Sequence, residues 1–286
     1  MEIWHSRVHF NLQDPLEHIE FGVYSAYDVV GRAGWRIAYP VQPLCEIWLV
    51  REGGVQIQIG EKCARLEAPA LAVVPRGPNR DTRHLSGQNL SILGFAFSAT
   101  LFGALDLVEL LEIPIAPRVS PAPFEPFLTR MIDEARLKRA GYALAVHGLA
   151  QLAFVELLRA LDLQDSPKMR ERVRLAQSRE IAGALSFVAA NFAEPVTLSQ
   201  MAGAAFLSPR HFARKFEEAL GLSPLEYLRK FRLNQARNLL ATSDQTAGKI
   251  ALDCGFEDAA YFSRLFKREW GHTPGEFRKS LKREAA

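Results

Sequence analysis

The feature that most constrains this chain is an internal repeat near its C-terminal end. Phe212, Arg214, Phe216, Gly221, Ser223, Pro224, Glu226 and Tyr227 recur as Phe262, Arg264, Phe266, Gly271, Thr273, Pro274, Glu276 and Phe277, an offset of 50 residues kept without a gap. A register held over that length points to one supersecondary unit used twice.

In the first copy Thr197 and Gln200 are spaced as a capping box, and Met201, Ala202 and Ala205 supply an apolar face. Ser208 then caps the next helix, with Pro209 at its first position. That helix carries Phe212, Phe216 and Leu220 at helical spacing before Gly221 ends it, and Ala205-Phe206-Leu207 is the corner between the two. In the second copy Ile250, Ala251 and Cys254 lead to Gly255-Phe256, and Phe262, Leu265, Phe266 and Trp270 lead to Gly271. Each copy predicts two short helices meeting at a tight turn, the outline of a helix-turn-helix whose second helix can enter a DNA major groove. Between the copies, residues 225–240 predict a connecting helix with Leu225, Leu228, Phe231, Ala236 and Leu239 as core contacts. Roughly 16 residues at ~1.5 Å each make a rod of ~24 Å. With the helix widths added, such a rod can hold two reading heads near the ~34 Å spacing of successive major-groove faces.

The face opposite the phenylalanines is the candidate reading surface. It comprises Arg210, His211, Ala213 and Arg214 in the first unit and Ala259, Ala260, Ser263 and Arg264 in the second, with Tyr261 at its edge. Arginine suits bidentate pairing with guanine O6 and N7, which makes Arg210, Arg214 and Arg264 candidates for base reading. Lys267 and Arg268 are placed to neutralise phosphate. A solvated helix face is the competing reading of any single arginine, and the recurrence of Arg214 as Arg264 on the repeated motif favours DNA contact.

The run from Gly221 to Lys279, extended back to about Ile181, closely resembles the DNA-binding domain of AraC/XylS-type bacterial transcription regulators. The resemblance covers roughly the last third of the chain. Its most specific carriers are Ile250-Ala251, Gly255-Phe256, Phe262-Ser263-Arg264, Phe266-Lys267 and Gly271 with Pro274. Two positions depart from the family: Phe206 stands at a corner where glycine is common, and Lys249 replaces a commonly acidic residue. The resemblance implies a sequence-specific transcription regulator, an activator acting on promoter DNA and contacting RNA polymerase, with no cofactor and no catalytic residue.

Net charge is only +3, but it is unevenly placed. Of 35 Lys/Arg and 32 Asp/Glu, 16 and 12 lie from Arg179 onward, leaving 19 against 20 before it. The basic surplus therefore falls on the half that would bind nucleic acid. Cys45, Cys63 and Cys254 show no paired spacing, which fits reduced thiols; a Cys45–Cys63 redox switch is the competing reading to buried packing. Glu2, His5 and Arg7 interrupt any apolar leader, and no sequence run suggests a membrane span, so a cytoplasmic location is expected.

Residues 1–16 read as a polar and aromatic arm. Short β-rich runs follow at 19–30, 35–39, 46–51, 55–59, 63–67, 71–74 and 90–97, parted by turn chemistry at Gly31-Arg32-Ala33-Gly34, Gly53-Gly54, Gly60-Glu61, Pro75-Arg76-Gly77-Pro78 and Gly87-Gln88. Such strands close into a small antiparallel barrel or a double-stranded roll. Their order resembles the cupin-like sensor domain that precedes the DNA-binding domain in this family. The fold class expected is thus β plus all-α: a cupin-like β-barrel with a helical pair over 124–163, a linker over 164–178, and an all-α double helix-turn-helix domain over 179–286.

A cupin-type metal enzyme fused to a DNA-binding module is the alternative. It would need a cluster of histidines with an acidic residue. Asn79 stands where a histidine would be familiar, and His84 is alone in the strand region, so no metal is expected. A barrel interior can instead enclose a small-molecule effector, for which Trp35, Arg36, Tyr39, Glu46, Trp48 and Arg80 are candidates by type; tryptophan in the core and arginine at the surface is the plainer reading. Phe124, Phe127, Leu128, Met131 and Ala135 mark one helix, and Leu144, Leu149, Leu152, Phe154, Val155, Leu158 and Leu161 mark a second, apolar almost all round. So much apolar surface points to a homodimer contact, with a purely intramolecular core as the alternative.

Overall fold

A computed structural model describes residues 18–85, 89–163 and 166–284. The arm expected over residues 1–16, the Gly87-Gln88 turn and the first two residues of the expected linker lie outside these.

The N-terminal half is two antiparallel sheets. Strands β1 (Ile19–Gly31), β2 (Arg36–Gln42), β3 (Cys45–Glu52), β4 (Gly54–Ile59), β5 (Lys62–Glu67), β6 (Ala70–Val74), β7 (Gly77–His84), β8 (Leu90–Leu101) and β9 (Leu105–Asp106) form one sheet of order β1-β8-β3-β6, with β9 on β8, and another of order β2-β7-β4-β5. Hydrophobic alternation fixes which face is inward. In β4, Val55, Ile57 and Ile59 are buried while Gln58 is exposed. Trp48, Val50, Val55, Ile57, Leu66, Leu90 and Ile92 meet between the sheets. Cys45, Ile47, Leu49, Phe95 and Phe97 face the opposite way, towards helices, so β8 is buried along all twelve residues.

Two expectations are corrected. The sheets share no hydrogen-bonded strand and are not closed into a barrel; the layout is the double-stranded roll. Strand β7 went unmarked in the sequence because its inward residues, Arg80 and Thr82, are polar, yet it is the link between β2 and β4.

A short helix α1 (Leu107–Leu110) and a 3-10 turn (Ala122–Phe124) lead to α2 (Glu125–Leu137) and α3 (Tyr142–Ala160), which pack on each other and on β1. Phe154 of α3 meets Phe21 and Phe97 with ring centroids 5.4 and 5.3 Å apart. Helix α3 is long and apolar enough to cross a membrane by length and composition. Here one stripe, Ala150, Ala153, Phe154, Leu157 and Leu158, is buried against the sheet, while Leu144 and Leu152 on the other side are 80% and 55% exposed.

The stretch expected to be either a tether or a charged helix contains α4 (Pro167–Ala176). Then come α5 (Arg179–Asn191), α6 (Leu198–Ala204), α7 (Pro209–Leu220), α8 (Pro224–Thr242), α9 (Ala247–Asp253), α10 (Ala259–Trp270) and α11 (Pro274–Glu284). Helix α8 runs 19 residues, ~28 Å. It buries Tyr227, Leu228, Phe231, Leu233, Ala236 and Leu240, but Leu225, expected in the core, is 53% exposed. In the first turn Pro224 and Tyr227 take the buried side, and Leu225 beside them faces outward.

Candidate nucleic-acid interface and interior polar cluster

The helix ends are set by local chemistry. Thr197 and Gln200 form a reciprocal capping box at α6, Thr246 accepts from the Lys249 amide at α9, and Asp258 accepts from the Ala260 and Tyr261 amides at α10. Those two amides hold the Asp258 carboxyl below its usual range, with Arg264 adding a smaller pull. Gly221 and Gly271 end α7 and α10 in left-handed conformations, φ 72° and 71°.

The two corners open with the same geometry. Phe206, φ 55°, follows the α6 C-cap Ala205, and Gly255, φ 77°, follows the α9 C-cap Cys254. The next amide, Leu207 or Phe256, donates back to Ala202 or Ala251 at 3.0 and 2.9 Å. The caps Thr197 and Thr246 are 49 apart, whereas Pro209 and Ala259, which open the second helices, are 50 apart. The second corner is thus one residue longer, and the gapless register of 50 holds only from the second helices on.

The residues singled out for reading DNA fall on the outward side of α7 and α10. Arg210, His211, Arg214, Ala259, Ala260, Arg264, Lys267 and Arg268 are exposed, and Ala213 and Ser263 half-buried. Phe212, Phe216, Phe262 and Phe266 are fully buried behind them. Arg210, Arg214 and Arg268 make no hydrogen bond or ion pair with another described residue, so their guanidinium donors are available to an outside acceptor. Arg264 faces the Asp258 carboxylate.

Between the sheets the effector candidates separate into two groups. Arg80, 2% exposed, donates through Nη1 to Gln42 at 2.6 Å and to Glu46 at 3.0 Å, and through Nε to Thr82 at 3.3 Å. Its guanidinium lies 4.9 Å from the Trp48 ring and 5.8 Å from Tyr39. Trp48 donates to the Tyr27 hydroxyl at 2.7 Å and meets the Trp35 ring at 6.3 Å. Burial pushes the Tyr27 hydroxyl well above its usual pKa, and the Glu46 charge adds to it. Arg80 Nη2 is buried without a partner. Arg36 stands apart: it is exposed, in a two-point pair with Asp81, whose carboxyl Arg36 and Arg83 lower to about 2. Gln42, Thr82 and Tyr27 were missed because a neutral polar side chain carries no sequence signal of inward placement until its partner strand is known.

The helices of the C-terminal half dock on the sheets. Tyr227 donates to the Phe102 carbonyl at 2.8 Å, Asn234 to the Gly103 carbonyl at 2.9 Å, and Tyr24 to Asn238 at 2.9 Å. At the end of α10, Arg76 pairs with Glu269 at 2.7 Å and stacks 4.1 Å from the Trp270 ring. Burial raises the Glu269 carboxyl, but the Arg76 charge and hydrogen bond outweigh it and hold it below its usual value. A cleft of about 460 Å³ beside this pair is lined by Val41, Arg76, Asp106, Arg268 and Glu269.

Two helix-turn-helix units strung on one connecting helix define a DNA-binding domain of the helix-turn-helix class. Residues 201–280 match the family model described as a helix-turn-helix domain. The chain is 35% identical over 149 residues to the HTH-type transcriptional activator RhaS of Escherichia fergusonii, covering 52% of each chain. It is 33% identical over 138 residues to the HTH-type transcriptional activator RhaR of Klebsiella pneumoniae, covering 46% of this chain and 47% of that one. A solved AraC-type DNA-binding-domain transcriptional regulator from Chromobacterium violaceum is 32% identical, with 36% of this chain and 91% of that one covered and a TM-score of 0.34. The C-terminal helices are thus similar in sequence to those of HTH-type transcriptional activators. The chain spans about half the length of the curated relatives it matches.

Proposed function

We propose that this chain is a sequence-specific, DNA-binding transcription activator of the cytoplasm that reads promoter DNA with α7 and α10 and contacts RNA polymerase. The observation that carries the reading is the pair of helix-turn-helix units on α8, each presenting exposed polar residues opposite a buried phenylalanine pair. Arg210, His211, Ala213 and Arg214 form the first reading head, and Ala259, Ala260, Ser263 and Arg264 the second, with Lys267 and Arg268 on phosphate. The relatives named as activators support the direction of regulation. We place a small-molecule effector at the cluster of Trp35, Tyr39, Glu46, Trp48 and Arg80, where a buried guanidinium keeps an unused donor beside aromatic faces. The exposed apolar side of α3, with Leu144 and Leu152, is the homodimer contact in this reading. Catalysis forms no part of it.

Binding of the full chain to DNA fragments from around its own gene tests the proposal, at two salt concentrations and with excess non-specific competitor. Selective retention of one fragment supports it. Binding that competitor erases from every fragment, with and without candidate effectors, would sink it.

A further inference from the structure

We propose that the second helix-turn-helix is the moving part of this molecule, held against the sheets by a polar latch of Arg76, Glu269, Trp270 and Arg237, while the first unit is fixed. The inference rests on the reading of the N-terminal half as a sensor and the C-terminal half as a DNA-binding unit, and it names how one acts on the other.

The two units are attached differently. The first shares one unbroken apolar cluster with the sheets, running from Ile47, Phe95 and Phe97 to Phe212, Phe216, Tyr227 and Phe231. The second has its own cluster, Ile250, Phe262, Phe266, Trp270 and Phe277, in which the residues of the N-terminal half, among those described, are Leu44, Ala96 and Tyr24. The remaining attachment includes the Arg76–Glu269 pair, with side chains 22% and 27% exposed, and the guanidinium groups of Arg76 and Arg237, 4.1 and 4.5 Å from the Trp270 ring. Ionic contacts that water can reach part more readily than a continuous apolar core.

The closed latch also leaves buried donors unused. Among the described residues, Arg237 Nε and Nη1, Trp270 Nε1 and Arg278 Nη2 have no hydrogen-bond partner. The Arg237 and Trp270 donors, set against Tyr24 and Arg76, gain water if the second unit lifts, which lowers the cost of opening.

The latch borders the interior polar cluster. The Tyr39 ring is 5.8 Å from the Arg80 guanidinium and 6.4 Å from the His272 ring, and so touches both sides of the boundary. Two residues along β2, Val41 abuts Gly271, the α10 C-cap; a Cβ added there would come within 2.2 Å of the Val41 Cβ. An effector that repositions Tyr39 or Val41 therefore pushes on the end of the second reading helix itself.

Hydrogen exchange on the full chain without DNA tests this, comparing the parent with Glu269→Gln and Arg76→Gln, each checked for native circular dichroism. The expected result is exchange about tenfold faster in α10 and α11, with α6 and α7 unchanged, in both variants. Equal acceleration of α6 and α7, or no acceleration of α10 and α11 in either variant, overturns the proposal. Because the readout needs no DNA, it stands or falls apart from the operator-binding experiment.

Discussion

Phe206 and Gly255 occupy the same left-handed position in the two helix-turn-helix corners under opposite steric constraints. A Cβ at Gly255 would lie 2.6 Å from the Phe192 carbonyl oxygen and 2.9 Å from that of Ala193. Phe206 carries a whole ring there, 80% exposed, with the Arg179 guanidinium 5.7 Å from it.

Opposite responses to substitution are expected. Phe206→Gly relieves a left-handed backbone at an open site and should raise stability by about 1 kcal/mol. Gly255→Ala meets backbone oxygens and should lower it by roughly 2–3 kcal/mol. Denaturant midpoints of the two variants check this; shifts of the same sign would contradict it.

The two kinds of DNA contact predict different losses. Arg214→Ala should cost about 1–3 kcal/mol on the preferred sequence and relax preference at one base pair. Lys267→Ala should weaken binding evenly across sequences and reduce the salt slope by about one. Titrations on matched and mutated sites at several salt concentrations separate the cases, and equal losses with equal relaxation would refute the ordering.

Thiol chemistry is set by burial. Burial pushes the Cys45 thiol well up, with the Asp106 charge adding to it, and burial with Asp253 pushes Cys254 up to about 12. Cys63 is exposed. A thiol-specific chromogenic reagent should label one cysteine quickly in the native chain and three after denaturation. Fast labelling of two in the native chain would contradict the fold around β3 or α9.

Acid should loosen the C-terminal half. Asp258 is depressed by the Tyr261 and Ala260 amides, Glu276 by the Thr273 amide and hydroxyl, and Glu269 by Arg76 against its burial. All three folded values lie below the ordinary 3.8 for Asp or 4.5 for Glu. Their stabilisation is therefore present above those ordinary values and lost as pH falls through the depressed ones. Melting temperature should drop from pH 5 towards pH 3 by less in Asp258→Asn than in the parent, while the variant is the less stable of the two near pH 7.

The helical half was legible in the sequence because caps, glycine stops and phenylalanine spacing are local: Thr197 with Gln200, Pro209 and Gly271 mark their helix ends without help from the rest of the chain. Strand β7 was not, since inward Arg80 donates to Thr82 on its own strand, to Gln42 on β2 and to Glu46 of the facing sheet, and such pairing exists only after folding. For the same reason Arg237 reads as one more basic residue on an amphipathic helix, though it is 1% exposed and set between Tyr24 and Trp270. Leu225 misled in the other direction, because spacing alone does not say that Pro224 and Tyr227 take the buried side of the first turn of α8.

The 19-residue helix α8 turns sequence length into angle. Each residue added to an α-helix rotates the far end by ~100° while advancing it only ~1.5 Å. Each base pair added to DNA rotates it by ~35° and advances it ~3.4 Å. A one-residue insertion in the helix is therefore not matched by a one-base-pair insertion in the DNA. With α7 and α10 reading DNA as proposed, the two heads are set in rotational phase as well as distance, and a site whose halves are displaced by a single base pair is expected to fall out of step with the protein.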